Sequence, residues 1–294
     1  MVQATTRKPP ERTEEGANGE MEIERLTPVI GAVVHGVDLS QPLSGERYGA
    51  IEDAFLEHQV IFFRGQDLTR EDLKRFGRHF GALNVHPFLP KVDGDPEVIL
   101  LQNDRKRPPA VNVWHSDLTF MAKPPLGAVL LARKIPDVGG DTLWASMTAA
   151  WEGLSGEMRD RLSGLTAVHR GSLAEYRAAL GDHVTLDPGS EWADPNPTAK
   201  HPIARTHPVT GRKSLYVSST DTRSIEGMEP EESSALLDQL FRHASTPEYQ
   251  VRFRWRVGDV AFWDNRCTQH YAIADYWPRE RTMHRVTVAG DRPY

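Results

Sequence analysis

The spacing of apolar residues changes character along the chain. They recur at helical intervals through Tyr48–His58 and then close into the unbroken run Val60–Phe63, which Arg64–Gly65 ends and which reads as a buried strand. A second helix is expected after Thr69, an N-cap with Asp72 three residues on; Leu73, Phe76 and Phe80 form its apolar side, and Gly81 ends it. Upstream, order begins near Ile23, and Val29–Leu39 sets apolar residues around Gly31 and Gly36.

From Glu97 the pattern shifts to short extended pieces at Val98–Leu101, Val111–His115, Ala128–Ala132 and Thr142–Trp144. A helical stretch over Met147–Leu165 interrupts them. Its expected partner is Glu231–His243, opened by Pro230 and carrying Leu236, Leu237, Leu240 and Phe241 in register. Strand patterns return at Ile203–Thr206, Leu215–Val217, Val251–Trp255, Asp259–Trp263 and Met283–Val288. Many short strands with Gly/Pro turns predict a mainly β fold with helical additions, a jelly-roll or double-stranded barrel. Residues 21–294 read as one domain, with helical and lid insertions at about 147–200 and 230–243. Within these, 181–200 is rich in Asp, Pro and Gly and reads as an active-site lid or a passive surface loop. Residues 1–20 are polar and read as a disordered leader.

Composition narrows the function. A chain of 294 residues can bury roughly three quarters of its unfolded surface. A net charge of -6, with only short interrupted basic clusters, gives no footprint for nucleic acid. No apolar run is long enough to span a bilayer, so no membrane partner is expected. The single cysteine, Cys267, excludes an internal disulfide framework and a cysteine-built metal centre, which fits a reducing cytoplasm.

Candidate chemistry gathers at Trp114–Leu118. In an extended segment His115 and Asp117 point to one side and Ser116 to the other, so one strand can offer an imidazole and a carboxylate to one ion. The plain alternative is a hydrogen-bonded His and Asp in an ordinary core. His270 follows the strand pattern Val260–Trp263 and the polar turn Asp264–Asn265–Arg266, and a short hairpin can bring it to the barrel mouth. Two histidines and one carboxylate suit non-haem Fe(II) with three open positions; zinc is also chemically admissible.

The strings WHSDLTF (Trp114–Phe120), GGDTLWA (Gly139–Ala145), WDNRCTQH (Trp263–His270) and RTMHRVTVAGDRP (Arg281–Pro293) resemble the taurine dioxygenase/TfdA family of Fe(II)- and 2-oxoglutarate-dependent dioxygenases. VIFFRGQ at Val60–Gln66 adds to a likeness running from about Glu22 to Pro293. The resemblance implies a double-stranded β-helix (jelly-roll, cupin-like) core, with His115, Asp117 and His270 as iron ligands. It makes Thr142 and Arg281 the pair that holds the distal carboxylate of 2-oxoglutarate, a match of planar fork and compact donor to carboxylate. His86 and Arg285 fall where the family's taurine-specific members meet the sulfonate. Departures stand at Leu89 for an aromatic, Val111 for an asparagine and Asp221 for a phenylalanine. Loss of the asparagine amide and of a tyrosine-type hydroxyl removes hydrogen bonds that a small zwitterion needs and puts taurine itself in doubt.

The resulting expectation is an enzyme using Fe(II), 2-oxoglutarate and dioxygen on a small anionic organic substrate, an alkyl sulfonate or sulfate ester first. Aryloxyalkanoates come next. A zinc-dependent hydrolase and a non-catalytic metal-bound binding protein are the competing classes, and the family habit implies a homodimer or homotetramer.

Overall fold

The computed structural model describes residues 19–86, 89–181, 184 and 194–294. Residues 1–18 of the leader expected over 1–20, and most of the lid or loop expected over 181–200, lie outside the described residues.

Two sheets face each other. The larger runs Glu22–Arg25, Ala32–His35, Val60–Phe63, Val260–Asp264, Gly127–Lys134, Arg281–Val288, Asp95–Asn103 and Lys91–Val92, with Leu83–Asn84 added on Arg281–Val288. The smaller pairs Gln250–Phe253, Thr142–Ser146 and Thr268–Ala272. This is the mainly β jelly-roll core with helical additions that the strand pattern predicts.

Both faces of the larger sheet are covered, which is why its strands read as continuous apolar runs rather than as alternations. Ile61, Phe63, Val260 and Phe262 pack toward the helices Gly45–His58 and Arg70–Phe80; Val60, Phe62, Ala261 and Trp263 turn into the space between the sheets. Stacked pairs lock each layer, Phe55 on Phe262 at 4.0 Å and Phe62 on Phe253 at 3.9 Å between ring centroids. Each such buried ring contributes about 1.5–3 kcal/mol. Thr69 caps the second helix in a full capping box with Asp72.

The pleat then decides which side chains reach the inter-sheet space. On Arg281–Val288, Met283 belongs to the inter-sheet cluster and Val286 to the helix-side cluster. Arg281 and Arg285 share the parity of Met283 and so enter the space between the sheets.

Several expectations are corrected. The helix expected over Met147–Leu165 is two, Met147–Glu152 and Gly156–Leu162, because Ser155 starts a new N-cap. The helix Leu173–Leu180 and the sheet of Thr198–Pro202, Thr166–Arg170 and Thr222–Ile225 are additional. Val111–His115 is not a strand; only His115 pairs, through an isolated antiparallel bridge to His270. Val260–Asp264 and Thr268–Ala272 do not form a hairpin either, since they belong to different sheets and the chain crosses between them at Asn265–Cys267. Among the described residues, no helix is long and apolar enough to cross a membrane.

Candidate active site

His115 and His270 exchange both backbone hydrogen bonds, at 3.1 and 2.8 Å, so the segment before the turn docks on the edge of the smaller sheet. Directly opposed residues in an antiparallel pair share a face, and the two imidazoles lie 4.1 Å apart between centroids. Asp117 joins them by a turn rather than by strand alternation, with Leu118 in the left-handed region at φ 52°. Asn265 clamps that turn: its Oδ1 accepts from Asp117 N at 2.7 Å, and its Nδ2 donates to Asp117 O at 2.9 Å. Ser116 does face away, donating to Thr268 O at 2.8 Å. Trp114 and Leu118 separate into different apolar clusters.

One ligand atom from each of His115, Asp117 and His270 lies within 4.8 Å of the others. The ionisation states suit a cation. Burial lowers the pKa of both imidazoles, the neighbouring His115 pushing His270 further down, so both are neutral. Burial alone would raise the Asp117 carboxyl, but Arg285 overrides it and holds the group well below the usual range. His115 Nδ1 donates to Val113 O at 2.8 Å, which leaves its Nε2 lone pair for a metal. Arg285 Nη1 donates to Asp117 Oδ1 at 3.0 Å, while Asp117 Oδ2 and His270 Nδ1 are buried without hydrogen-bond partners. Unsatisfied acceptors on neutral imidazoles and an ionised carboxylate fit a divalent ion.

A second buried trio, His207, Asp264 and Cys267, has comparable spacing but the opposite chemistry. Asp264 accepts from Arg266 N, Nε and Nη2 and from His207 Nε2, all within 3.0 Å. His207 Nδ1 accepts from Thr210 N at 3.1 Å, so neither ring nitrogen is left. This knot fastens the crossing between the sheets, and neither its imidazole nor its carboxylate has a lone pair to spare.

Beside the trio lies a cavity of about 510 Å³ whose lining includes every residue singled out from the sequence: His86, Leu89, Val111, Thr142, Asp221, Arg281 and Arg285. At one end, Arg281 and Thr142 are buried. Trp255 Nε1 donates to Thr142 Oγ1 at 2.9 Å and Arg281 Nη2 donates to the same oxygen at 3.4 Å. Both hydroxyl lone pairs are then used, so the Thr142 proton is directed to a further acceptor. Arg281 Nε is buried without a partner, and Gly140, at φ +74°, makes room for the arginine stem: a Cβ there would stand 3.3 Å from Arg281 Cδ. A carboxylate answers both donors.

Toward the mouth, His86 Nδ1 accepts from Leu89 N at 3.0 Å, so its Nε2 carries the proton. Burial, then Arg285, keeps this ring neutral. Asp221 accepts from the Thr119 hydroxyl at 2.9 Å, and burial pushes its carboxyl up to about 6. Three contributors carry no mark of their role in the sequence: Trp255 and Tyr176 lie outside the motifs, and Asn265 lies inside WDNRCTQH, where only His270 stands out as a ligand. Tyr176 lines the cavity from the helix Leu173–Leu180.

The comparisons with known proteins agree with this geometry. The family model described as taurine catabolism dioxygenase TauD, TfdA family matches residues 22–287. The chain belongs to this family, and it is an Fe(II)- and 2-oxoglutarate-dependent dioxygenase; the hydrolase and binding-protein alternatives are set aside. It is 36% identical over 285 residues to an alpha-ketoglutarate-dependent sulfate ester dioxygenase of Pseudomonas putida, covering 93% of this chain and 91% of that protein. It is 35% identical over 283 residues to the (S)-phenoxypropionate/alpha-ketoglutarate-dioxygenase of Sphingobium herbicidovorans, covering 92% of this chain and 95% of that one. A crystal structure of a taurine dioxygenase from Burkholderia xenovorans superposes with a TM-score of 0.80 at 38% identity, covering 93% and 90% of the two chains.

Proposed function

We propose that the enzyme hydroxylates a small organic anion, an alkyl sulfonate or sulfate ester, at the carbon bearing the sulfur or ester oxygen. His115, Asp117 and His270 hold Fe(II), while Arg281 and Thr142 take the distal carboxylate of 2-oxoglutarate. Arg285 and His86 meet the substrate anion, and Leu89, Val111 and Asp221 shape the remainder of its pocket. Bound iron supplies oxygen activation coupled to decarboxylation of the keto acid: one oxygen atom ends in succinate and the other in the substrate, with release of carbon dioxide. The protein's own part is placement. Arg285 and the His86 Nε2–H fix the anion, and the apolar walls exclude water from the reacting carbon.

The observation that carries the proposal is Arg285. It is buried, enters the cavity beside Asp117, and has an Nε without a partner. A buried guanidinium with donors to spare calls for an anionic ligand. The names of the Pseudomonas and Burkholderia relatives favour sulfur-bearing anions. The apolar lining at Leu89, Pro90, Leu100 and Val113 supports aryloxyalkanoates as the second reading, as does the name of the Sphingobium relative.

A succinate-release screen over alkyl sulfonates, alkyl sulfates and aryloxy acids tests the substrate class. Coupled turnover with the sulfur anions is expected; turnover confined to aryloxy acids reverses the order. Asp117→Ala should abolish succinate formation, and an unchanged rate would remove Asp117 from the metal site.

A further inference from the structure

Asp221 is a buried carboxylate in a cavity otherwise furnished to hold anions. It is 7% exposed and lines the same space as Arg285. The Thr119 hydroxyl donates to its Oδ2 at 2.9 Å, and the Thr119 N–H and the Thr220 hydroxyl act on it from nearby, lowering its pKa against the effect of burial. A carboxylate has about four acceptor positions, so at least one remains.

No cation neutralises it by contact among the described residues. Arg223, whose charge acts on Asp221, is itself held by Glu175 at 2.5 Å. The hydroxyl of Thr119 is committed in one direction. Thr119 Oγ1 gives its proton to Asp221 Oδ2, so His169 Nδ1, 3.0 Å from that oxygen and 3.1 Å from Thr222 Oγ1, faces Thr119 as the N–H tautomer. His169 is neutral because burial, then His201, lowers its pKa to about 3. This chain of oriented donors maintains Asp221 as an acceptor.

Tyr176 lines the same cavity. The charges of Asp221 and Asp117 raise its hydroxyl pKa beyond the effect of burial, and that of Arg285 opposes them. The cavity lining therefore carries both signs, a guanidinium beside the metal trio and the Asp221 carboxylate.

We infer that Asp221 is a specificity-determining residue, accepting a hydrogen bond from a donor group, hydroxyl or protonated amine, that the substrate carries beyond its anionic head. The inference rests on the reading of the cavity as the seat of a small anion. A simple alkyl anion leaves the carboxylate buried beside an apolar tail, which is costly; a donor-tipped one satisfies it.

The test compares propanesulfonate with its terminal hydroxy and terminal amino derivatives in succinate release, for the natural enzyme, Asp221→Asn and Asp221→Leu. The visible charge-transfer band of anaerobic Fe(II) with 2-oxoglutarate shows that each variant has folded its cofactor site. The natural enzyme should favour a donor-tipped sulfonate at least tenfold in kcat/KM. Asp221→Leu should erase that preference chiefly by improving propanesulfonate, an effect that mere structural damage does not produce. Asp221→Asn should separate the arms, retaining preference for the hydroxyl and losing it for the amine. Equal use of the three sulfonates by the natural enzyme, or a preference unchanged in Asp221→Leu, overturns the role of Asp221 alone. Absence of turnover with every sulfonate while the band persists overturns the sulfonate reading and this inference with it.

Discussion

Replacing Arg281 perturbs ligand binding and stability in opposite directions. The side chain is 6% exposed, lies 5.9 Å from the Trp255 ring, and makes one long hydrogen bond to Thr142 at 3.4 Å. Burial lowers its pKa even against the favourable charges of Tyr276 and Asp141. A guanidinium in this setting lacks a close anion, which the proposed 2-oxoglutarate carboxylate would supply. Truncating one member of a buried, hydrogen-bonded charge pair costs about 2–5 kcal/mol. At about 1.4 kcal/mol per tenfold, Arg281→Ala should weaken 2-oxoglutarate by roughly thirtyfold to several thousandfold. Arg281→Lys keeps the charge without the fork and should fall between. The ligand-free protein should respond the other way: Arg281→Met keeps much of the stem packing and removes the unpaired charge, so stability should hold or rise by about 1–2 kcal/mol. Anaerobic titration calorimetry and thermal unfolding without ligand measure the two effects. An affinity change below about threefold, or an Arg281→Met protein that unfolds several degrees earlier, refutes the reasoning.

Asn265→Ala removes the clamp on the Asp117 turn and should weaken metal binding by about 10–100-fold; a direct metal titration with unchanged affinity would show that the turn holds without it. For pH, the signs oppose within one network. Burial lowers His201 to about 4 and His169 to about 3 from 6.5, so the stability they contribute is present above 6.5 and lost as pH falls through those values. Asp221 is raised from 3.8 to about 6, so its contribution is present below 3.8 and lost as pH rises through 6. Asp221→Asn should therefore steepen the loss of stability between about pH 6 and 4, as read by urea unfolding at stepped pH; an unchanged slope would contradict the assignment. Gly127→Ala places a Cβ 2.3 Å from Trp263 O and should cost about 2 kcal/mol or more, visible as a lower unfolding midpoint. An unshifted midpoint would argue against that strand pairing.

The legible parts of the fold are those where burial imposes a period. Val60–Phe63 and Asp259–Trp263 announce themselves because both sides of the larger sheet are covered, and Thr69 with Asp72 marks a helix start by local chemistry alone. The helix Leu173–Leu180 lacks a clear apolar stripe, so Tyr176 goes unseen. Ser155 divides a helix whose apolar spacing runs through the break. At the site, His115, Asp117 and His270 are legible from residue type and motif, although the convergence of His115 and Asp117 comes from a bridge and a turn instead of a pleat. Trp255 carries no such mark, and Asn265 lies within WDNRCTQH with nothing there to announce its clamp on Asp117. An indole N–H or an amide becomes part of a site only when sheet pairing brings it there, and that pairing joins residues more than a hundred positions apart.

The strand Arg281–Val288 carries both arginines on one face, four residues and therefore about 13 Å of rigid backbone apart. One of them is proposed to anchor the cosubstrate and the other the substrate. The groups proposed to discriminate among substrates come largely from elsewhere: His86 and Leu89 beside a short strand, Val111 on an irregular segment, Tyr176 on a helix and Asp221 before a strand of a separate sheet. The oxidising apparatus is thus mortised into the sheet framework, while much of molecular choice is delegated to peripheral pieces. Such a layout is evolvable: descendants can exchange those pieces for a new diet of substrates and inherit the oxidising apparatus unaltered.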